Sequence, residues 1–383
     1  MIDYKWKSGQ VKTDAETNKI RNVLKRLFLN VLEKFGFNEV DLPTLDYSDS
    51  FIINNEYFAS QNHFKSIAPN GEVLSLGDDV IKGLLSFSQT ELEDKGKICS
   101  KMDAYAFIDD FDGKSYDYQV GGLVYGTTGL EEEADLLMTA IEVAKALKAE
   151  GYKLYVGNID IFGGVLNSFA GSDVGVERLR AVLNGNLNSD YDYAASQTLA
   201  SVKNAEGDAS IIKDLAQKLE NKKSLDGLVN LFEVMNIIDA YGERENVIVS
   251  PGYIGKEKYD KGLVFEVRSN EGKSLVYGGR CDCLKGQDKI NALYIRLNVE
   301  NAIEELKKSN ALQERESKKV LIAVAETRVA IAKANKVRQD LMNENFICDV
   351  LYNATESTLY EKMNKYKDRM IVYVDGEGNI THS

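Results

Sequence analysis

Histidine is nearly absent from this chain, which contains only His63 and His382 among its 383 residues. Catalysis by an imidazole base, as in a Ser-His-Asp triad, and histidine-rich metal sites therefore have almost no residues to use. The sequence also lacks a G-x-x-x-x-G-K-[ST] phosphate loop and a G-x-G-x-x-G turn after a predicted strand. These absences exclude most common enzyme classes and predict neither a bound metal nor a cofactor.

Cysteine is scarce as well, and its spacing is uninformative. The four cysteines form no disulfide-framework pattern, and Cys281-x-Cys283 is too closely spaced for the usual zinc knuckle. The sequence has no apolar run long enough to cross a bilayer, and its N-terminal segment lacks the apolar core and cleavage site of a secretory signal. These features predict a cytoplasmic protein.

Positive charge is in the minority. The chain has 47 Lys and Arg against 60 Asp and Glu, a formal net charge of −13. A protein that binds nucleic acid neutralises phosphates with basic side chains. The longest basic clusters here, Lys307-Lys308 and Lys318-Lys319, are only pairs, so the composition argues against a nucleic-acid partner.

Hydrophobic periodicity predicts an α+β protein. Apolar residues recur at helical spacing from Asp14 to Gly36, with a candidate capping box at Thr13-x-x-Glu16. Pro43 has no N–H, so the strand that ends there should lie at a sheet edge. An antiparallel sheet is the simplest arrangement of the predicted strands, which are Phe37–Pro43, Glu72–Leu76, Ala104–Phe111, Tyr116–Tyr125, Val247–Val249, Leu263–Arg268 and Ser274–Tyr277.

Later segments predict further helices and a second domain. Thr128-x-x-Glu131 predicts a capped helix start, and residues 171–242 have the charge-rich helical pattern of an inserted subdomain. A helix from about Asn298 to Lys308 closes a core of residues 1–310, and a hydrophilic linker follows. Residues 318–383 then predict a small parallel sheet of β-α-β-α-β order, with strands at Val320–Val324, Ile347–Leu351 and Met370–Val374.

One short motif carries a resemblance. The run Gly278-Gly279-Arg280-Cys281-Asp282 resembles the GGRYDxL signature of histidyl-tRNA synthetases and their relatives. Upstream, the segment from Tyr259 to Glu266 resembles that family's RGLDYYTGxxFE stretch. Weaker similarities in family order are the unit of helix, strand and Pro43, placed like motif 1, and Gly126-x-x-Gly129. The alternative for GGRCD alone is a tight turn between strands.

The resemblance implies a fold. It is that of a class II aminoacyl-tRNA synthetase, with an antiparallel sheet flanked by helices. The C-terminal α/β domain then resembles a truncated anticodon-binding domain.

The departures from the family pattern concern cations. The stretch Ala104–Asp109 stands where motif 2 carries an arginine, Asn301 where motif 3 carries one, and Gly255 where the RGLDYY arginine is expected. Adenylate formation develops charge on phosphate, and preorganised cations stabilise it. Their absence predicts that this chain does not aminoacylate tRNA.

Among relatives of the synthetases, the resemblance is best matched by the ATP phosphoribosyltransferase regulatory subunits. It implies a non-catalytic protein, with a homodimer core, in a hetero-oligomer with a short-form catalytic subunit at the first step of histidine biosynthesis, inhibited by histidine. The alternatives are an RNA-binding or amino-acid-sensing module, or a ligase acting on a free amino acid.

The resemblance also implies a vestigial histidine pocket. Asp79 falls where the family holds the substrate α-amino group, Gln119 matches a pocket glutamine, and Tyr259 and Arg280 match the two later segments. Leu123 replaces a family acidic residue, which leaves the implied pocket incomplete. The alternatives are a solvated turn carboxylate for Asp79, a structural salt bridge for Arg280, and sheet packing for Gln119 and Tyr259.

Overall fold

The computed structural model divides the chain into two compact units, Met1–Ser309 and Asn310–Ser383. No helix within the described ranges is long and apolar enough to span a bilayer. The structure describes residues 15–47, 64–89, 94–105, 117–126, 129–170, 193–257, 259–285 and 288–308 of the first unit, and 319–344, 346–355 and 369–382 of the second.

The first helix, α1, spans Ala15–Lys34, close to its predicted range, while the predicted cap at Thr13 lies outside the described residues. Gly36 follows with φ of +83°, a left-handed conformation that glycine adopts without strain. Most of the apolar face of α1 is buried within the chain itself, so this face belongs to the core of the subunit. The buried apolar residues of α1 are Ile20, Leu24, Leu27, Phe28, Leu29, Val31 and Leu32.

A large mixed sheet forms the centre of the first unit. Its strand order is β1-β5-β6-β11-β10-β9-β7-β8, and the six inner strands are antiparallel. The edge strands β1 and β8 pair in parallel with β5 and β7. The bounds are β1 Asn38–Glu39, β5 Gly96–Ala104, β6 Asp117–Tyr125, β7 Lys153–Asn158, β8 Val247–Val249, β9 Asp260–Arg268, β10 Ser274–Lys285 and β11 Asp288–Leu297.

Helices and a small sheet complete this unit. The small antiparallel sheet has the order β2-β4-β3, with β2 at Leu45–Tyr47, β3 at Lys65–Ile67 and β4 at Val73–Leu76. The remaining helices are α2 Val80–Ser88, α3 Leu130–Ala146, α4 Ile159–Ala170, α5 Tyr193–Lys203, α6 Ser210–Ala216, α7 Lys222–Ala240 and α8 Val299–Lys308. The described part of the predicted insertion, from residue 193, is thus largely helical.

Two local predictions differ from the structure, the first by a whole strand and the second by a single residue. Strand β5 ends at Ala104, where a strand was predicted to begin, and residues 106–111 lie outside the described residues. Helix α3 begins at Leu130 with Gly129 as its N-cap, and Glu132 accepts a 2.7 Å hydrogen bond from the Gly129 N–H. The reciprocal glutamate of the cap is therefore one residue later than the predicted Glu131, and Thr128 lies outside the described residues.

The GGRCD motif lies inside strand β10, so its interpretation as a turn between strands is wrong. A Cβ on Gly278 would lie 2.1 Å from the carbonyl oxygen of Tyr294, and one on Gly279 would lie 2.6 Å from that of Leu263. The two glycines therefore permit close approach of the neighbouring strands. Strand β11, which was not predicted, supplies one of those neighbours.

The second unit contains a four-stranded sheet of order β13-β12-β14-β15. Strand β12 pairs in parallel with β13 and β14, as predicted, and β15 adds an antiparallel edge that was not predicted. Helix α9, Arg328–Asn343, connects β12 to β13, and the second predicted helix lies outside the described residues. The strands are β12 Lys319–Val324, β13 Ile347–Tyr352, β14 Met370–Val374 and β15 Ile380–His382.

Candidate functional site

Asp79 is fixed by the start of helix α2. Its backbone is extended, with φ of −150° and ψ of 125°, and its Oδ1 accepts hydrogen bonds from Ile81 N (2.7 Å) and Lys82 N (3.2 Å). The apolar residues of α2 pack against the large sheet and bury the cap with them. Asp79 is only 8% exposed, so the alternative of a solvated turn carboxylate is wrong.

Gln119, on strand β6, stabilises the same helix start. Its Oε1 accepts from the Val80 N–H at 2.9 Å, and its Nε2 donates to the Asp78 carbonyl (3.3 Å) and to Asp117 Oδ2 (3.1 Å). The side chain is buried. Both ends of the amide are therefore engaged in positioning the segment that carries Asp79.

Arg296, on strand β11, is the cation of this site, and the sequence analysis did not identify it. Its Nη1 donates to Asp79 Oδ2 at 3.1 Å and to Glu257 Oε1 at 2.8 Å. Its Nη2 lies 3.8 Å from Asp117 Oδ2. A signal was present in the sequence, because Arg296 is the one charged residue in the otherwise apolar run from Ala292 to Leu297.

Electrostatics keep Arg296 charged despite its burial. Burial by itself lowers the pKa of a guanidinium, but the neighbouring Tyr277, Asp79 and Glu257 raise the pKa of Arg296 well above its ordinary value. The Tyr277 ring lies 5.9 Å from the guanidinium carbon, within the range of a cation–π contact. Arg296 is therefore a permanent positive charge at the centre of the site.

Tyrosines line the remaining walls. The Tyr259 ring meets the Tyr294 ring edge-on, with centroids 5.2 Å apart, and its hydroxyl lies 3.5 Å from Asp79 Oδ2. Tyr277 donates to Glu257 Oε1 at 2.9 Å, and Tyr294 donates to the Asp260 carboxylate. Burial raises the pKa of Tyr259, Tyr277 and Tyr294 well above the ordinary value, so these hydroxyls remain protonated donors.

Arg280 is held by a different partner. Its Nε and Nη2 donate to Glu133 Oε1 at 3.0 and 2.5 Å, which is the structural salt bridge considered as an alternative. The second Glu133 oxygen accepts from Asn230 Nδ2 at 2.8 Å. The structure thus brings Asp79, Gln119 and Tyr259 together and ties Arg280 to helices α3 and α7.

At two positions where the family carries an arginine, this chain has a glycine and an asparagine, and each has a structural role. Gly255 has φ of +72°, and a Cβ there would lie 2.1 Å from Asp260 Oδ2. That oxygen is itself held by the Glu257 N–H at 2.6 Å, so the site has no room for a side chain. Asn301 donates from Nδ2 to the Ser274 carbonyl at 2.7 Å and so fastens α8 to β10.

The sequence matches a known protein family. A sequence model of the histidyl-tRNA synthetase family matches residues 13–293. The chain belongs to this family. The resemblance drawn from the motifs is therefore confirmed.

Two relatives along the sequence are named as regulatory subunits. The ATP phosphoribosyltransferase regulatory subunit of Clostridium novyi is 25% identical, over 98% of this chain and 91% of its own length. The protein of the same name from Clostridium acetobutylicum is 24% identical, over 75% of this chain and 74% of its own.

Solved structures confirm the predicted class II fold. A Bacillus halodurans protein described as an ATP phosphoribosyltransferase regulatory subunit/histidyl-tRNA synthetase superposes with a TM-score of 0.78 at 16% identity, covering 97% of this chain and 98% of that one. Histidyl-tRNA synthetase from a Nostoc species also gives a TM-score of 0.78, at 15% identity, covering 99% and 96%.

Proposed function

We propose that this family member is a regulatory subunit of ATP phosphoribosyltransferase, acting at the first step of histidine biosynthesis. The proposal is supported by relatives of that name that match along almost the whole chain. The fold is shared with both regulatory subunits and synthetases, so the assignment depends on the residues of the site.

The observation that carries the proposal is the absence of free cations from the described part of the site. Adenylate formation needs positive groups directed at a phosphate. At Gly255 the positive φ and the Asp260 carboxylate leave no room for an arginine side chain, and at Asn301 the amide is bonded to a strand carbonyl. The two guanidiniums of the proposed site are also paired within the protein, Arg296 with Asp79 and Glu257 and Arg280 with Glu133. Such a site supports binding, and we infer that aminoacylation has been lost.

The proposal implies a short-form catalytic subunit as partner and a homodimer of this chain as the core of the complex. Because most of the apolar face of α1 is buried within its own subunit, only the family resemblance supports the motif 1-like unit, α1 and the strand before Pro43, as the proposed dimer interface, through its outer surface. Sedimentation at micromolar concentration tests this directly, because a species near 42.7 kDa alone would contradict the dimer.

The test of function is reconstitution. Purified chain is mixed with a short-form ATP phosphoribosyltransferase catalytic subunit, and turnover is measured with and without histidine. We expect a stable complex whose turnover falls with histidine; a coupling of about 1–3 kcal/mol corresponds to a change of roughly 5- to 150-fold. Absence of a complex together with unchanged turnover would refute the regulatory role.

The place of histidine is a separate part of the proposal. We propose that it binds at Asp79, Gln119, Tyr259 and Arg280. If Asp79→Ala and Arg280→Ala are inhibited as strongly as the wild type in the reconstituted complex, the regulatory role stands and histidine binds elsewhere.

A further inference from the structure

The environment of Arg296 has the chemistry of a binding site for an organic cation. Two carboxylate oxygens, Asp79 Oδ2 and Glu257 Oε1, converge on one nitrogen at 3.1 and 2.8 Å. The Tyr277 ring faces the guanidinium carbon from 5.9 Å. Paired carboxylates and an aromatic face are the groups that proteins use to bind ammonium and guanidinium ligands.

The walls of this pocket are positioned by contacts that do not involve Arg296. Asp79 is held by the backbone N–H groups of Ile81 and Lys82, while Glu257 accepts from the Tyr277 hydroxyl at 2.9 Å. The backbone N–H of Glu257 is bound in turn by the Asp260 carboxylate. Each of the two carboxylates is therefore held by groups other than Arg296 as well.

The pocket also has a side that faces solvent. The Arg296 side chain is 9% exposed, whereas that of Asp117, 3.8 Å from its second terminal nitrogen, is 57% exposed. The guanidinium thus lies one contact away from water, on the side of Asp117. A small solute approaching from that side meets Asp117 first and Arg296 behind it.

We propose that Arg296 is an internal occupant of a cation-binding pocket, and that a ligand bearing an ammonium or guanidinium group binds at Asp79 and Glu257 only by displacing it. Arg296 is then a specificity-determining residue, because it sets how strongly a cationic ligand must bind in order to enter. For histidine, the ligand proposed above, it weakens binding through the α-ammonium group. The inference concerns this pocket alone and holds whether or not the chain binds a catalytic subunit.

Chemical rescue of the full-length protein tests the proposal. The probe is methylguanidinium chloride at about 10 mM, with thermal unfolding as the readout. Arg296→Ala empties the pocket and leaves the buried Asp79 and the partly buried Glu257 without a cation, so the probe should raise its Tm by roughly 3 °C. The wild type should not respond, because its own guanidinium occupies the site.

Two matched variants distinguish binding of the probe at the Arg296 pocket from other effects of the probe on Tm. Arg268→Ala removes another partly buried arginine, paired with Glu266 at 2.6 Å, and should not be rescued. Arg296→Ala combined with Asp79→Asn removes an anion that holds the probe and should lose most of the rescue. An equal rise in Tm for the wild type or for Arg268→Ala would overturn the proposal.

Direct binding of histidine by calorimetry gives a second readout. We expect Arg296→Ala to bind histidine at least tenfold more tightly than the wild type. Equal affinities would contradict the proposal that histidine must displace Arg296. If Arg296→Ala does not fold, Arg296→Met, which keeps the apolar stem, replaces it. Failure of both variants to fold even with the probe present would contradict a pocket whose walls are preorganised.

Discussion

The guanidinium of Arg280 on β10 donates two hydrogen bonds to one carboxylate oxygen of Glu133 on α3, at 3.0 and 2.5 Å. Glu133 is almost fully buried, and its other oxygen accepts from Asn230 on helix α7. Asn230 in turn accepts from Asn158 at the end of β7. The arginine of the GGRCD motif is thus the first member of a polar chain that joins the central sheet to the inserted helices.

This chain of contacts makes Glu133 a sensitive position. Removal of one partner from a buried ion pair leaves an uncompensated charge and typically costs about 3–5 kcal/mol. Because Arg280 remains 21% exposed, we expect Glu133→Ala to lower the free energy of unfolding by about 3 kcal/mol in urea titrations. Glu131→Ala, on the exposed side of the same helical turn, is the control and should change it by less than about 0.5 kcal/mol.

The two roles of Asp79 can be separated by substitution. Asp79→Asn keeps an N-cap acceptor for Ile81 and Lys82 but removes the negative charge beside Arg296, whereas Asp79→Ala removes both. We expect Asp79→Ala to be less stable than Asp79→Asn by about 1 kcal/mol, the usual contribution of an N-cap. Equal unfolding midpoints in urea for the two variants would show that the cap contributes nothing.

The buried Glu266 predicts an acid-sensitive contribution to stability. Burial by itself raises the pKa of this carboxyl, but Lys256 and Arg268, at 2.5 and 2.6 Å, outweigh it and hold the pKa below its ordinary value of 4.5. A carboxyl with a lowered folded-state pKa stabilises the fold above its unfolded pKa. That stabilisation is lost as the pH falls through the lowered value.

The matching experiment is urea unfolding between about pH 6 and pH 3. The wild type should lose free energy of unfolding over the lower part of this range, and Glu266→Gln should lose less, because it no longer titrates there. Glu150→Gln, an exposed substitution in the same unit, serves as control and should follow the wild type. Parallel curves for all three proteins would show that Glu266 does not contribute.

The backbone at Gly255 predicts a large cost for any side chain. Gly255→Ala combines strain at φ of +72° with a clash against Asp260. Gly272→Ala is a matched control, since Gly272 has φ of +78° with nothing within 4 Å of an added Cβ. We expect the control to lose about 1 kcal/mol and Gly255→Ala at least about 2 kcal/mol, measured as free energies of unfolding.

The absence of arginine from the three family positions predicts that this chain does not catalyse adenylate formation. Purified chain should show no histidine-dependent ATP–pyrophosphate exchange and should not charge histidine tRNA. Each such contact typically contributes a few kcal/mol in a transition state, so three absences reduce the rate on the order of a million-fold. Exchange above the background of a mock purification would contradict this prediction.

Elements with strong local patterns were predictable from the sequence. The spacing of apolar residues predicted α1 to within two residues at each end, because the face of a helix that must be buried is set by its own sequence. The GGRCD motif identifies the family, but the sequence predicts a strand only as far as Tyr277 and leaves a turn as the alternative for the motif, since glycine marks both turns and closely packed strands. Strand β11 was missed because a buried apolar run with tyrosine and arginine lacks simple alternation.

The site depended on information that no local pattern contains. Asp79 and Arg296 are 217 positions apart, and their contact exists only because α2 packs on the face of the sheet to which β11 contributes. The sequence by itself determined the family, most of the strands and the candidates Asp79, Gln119 and Tyr259. Only the tertiary structure decided that Arg296 neutralises Asp79 while Arg280 binds Glu133, because a charge pair is selected by proximity in the folded interior, where burial makes an unpaired charge costly.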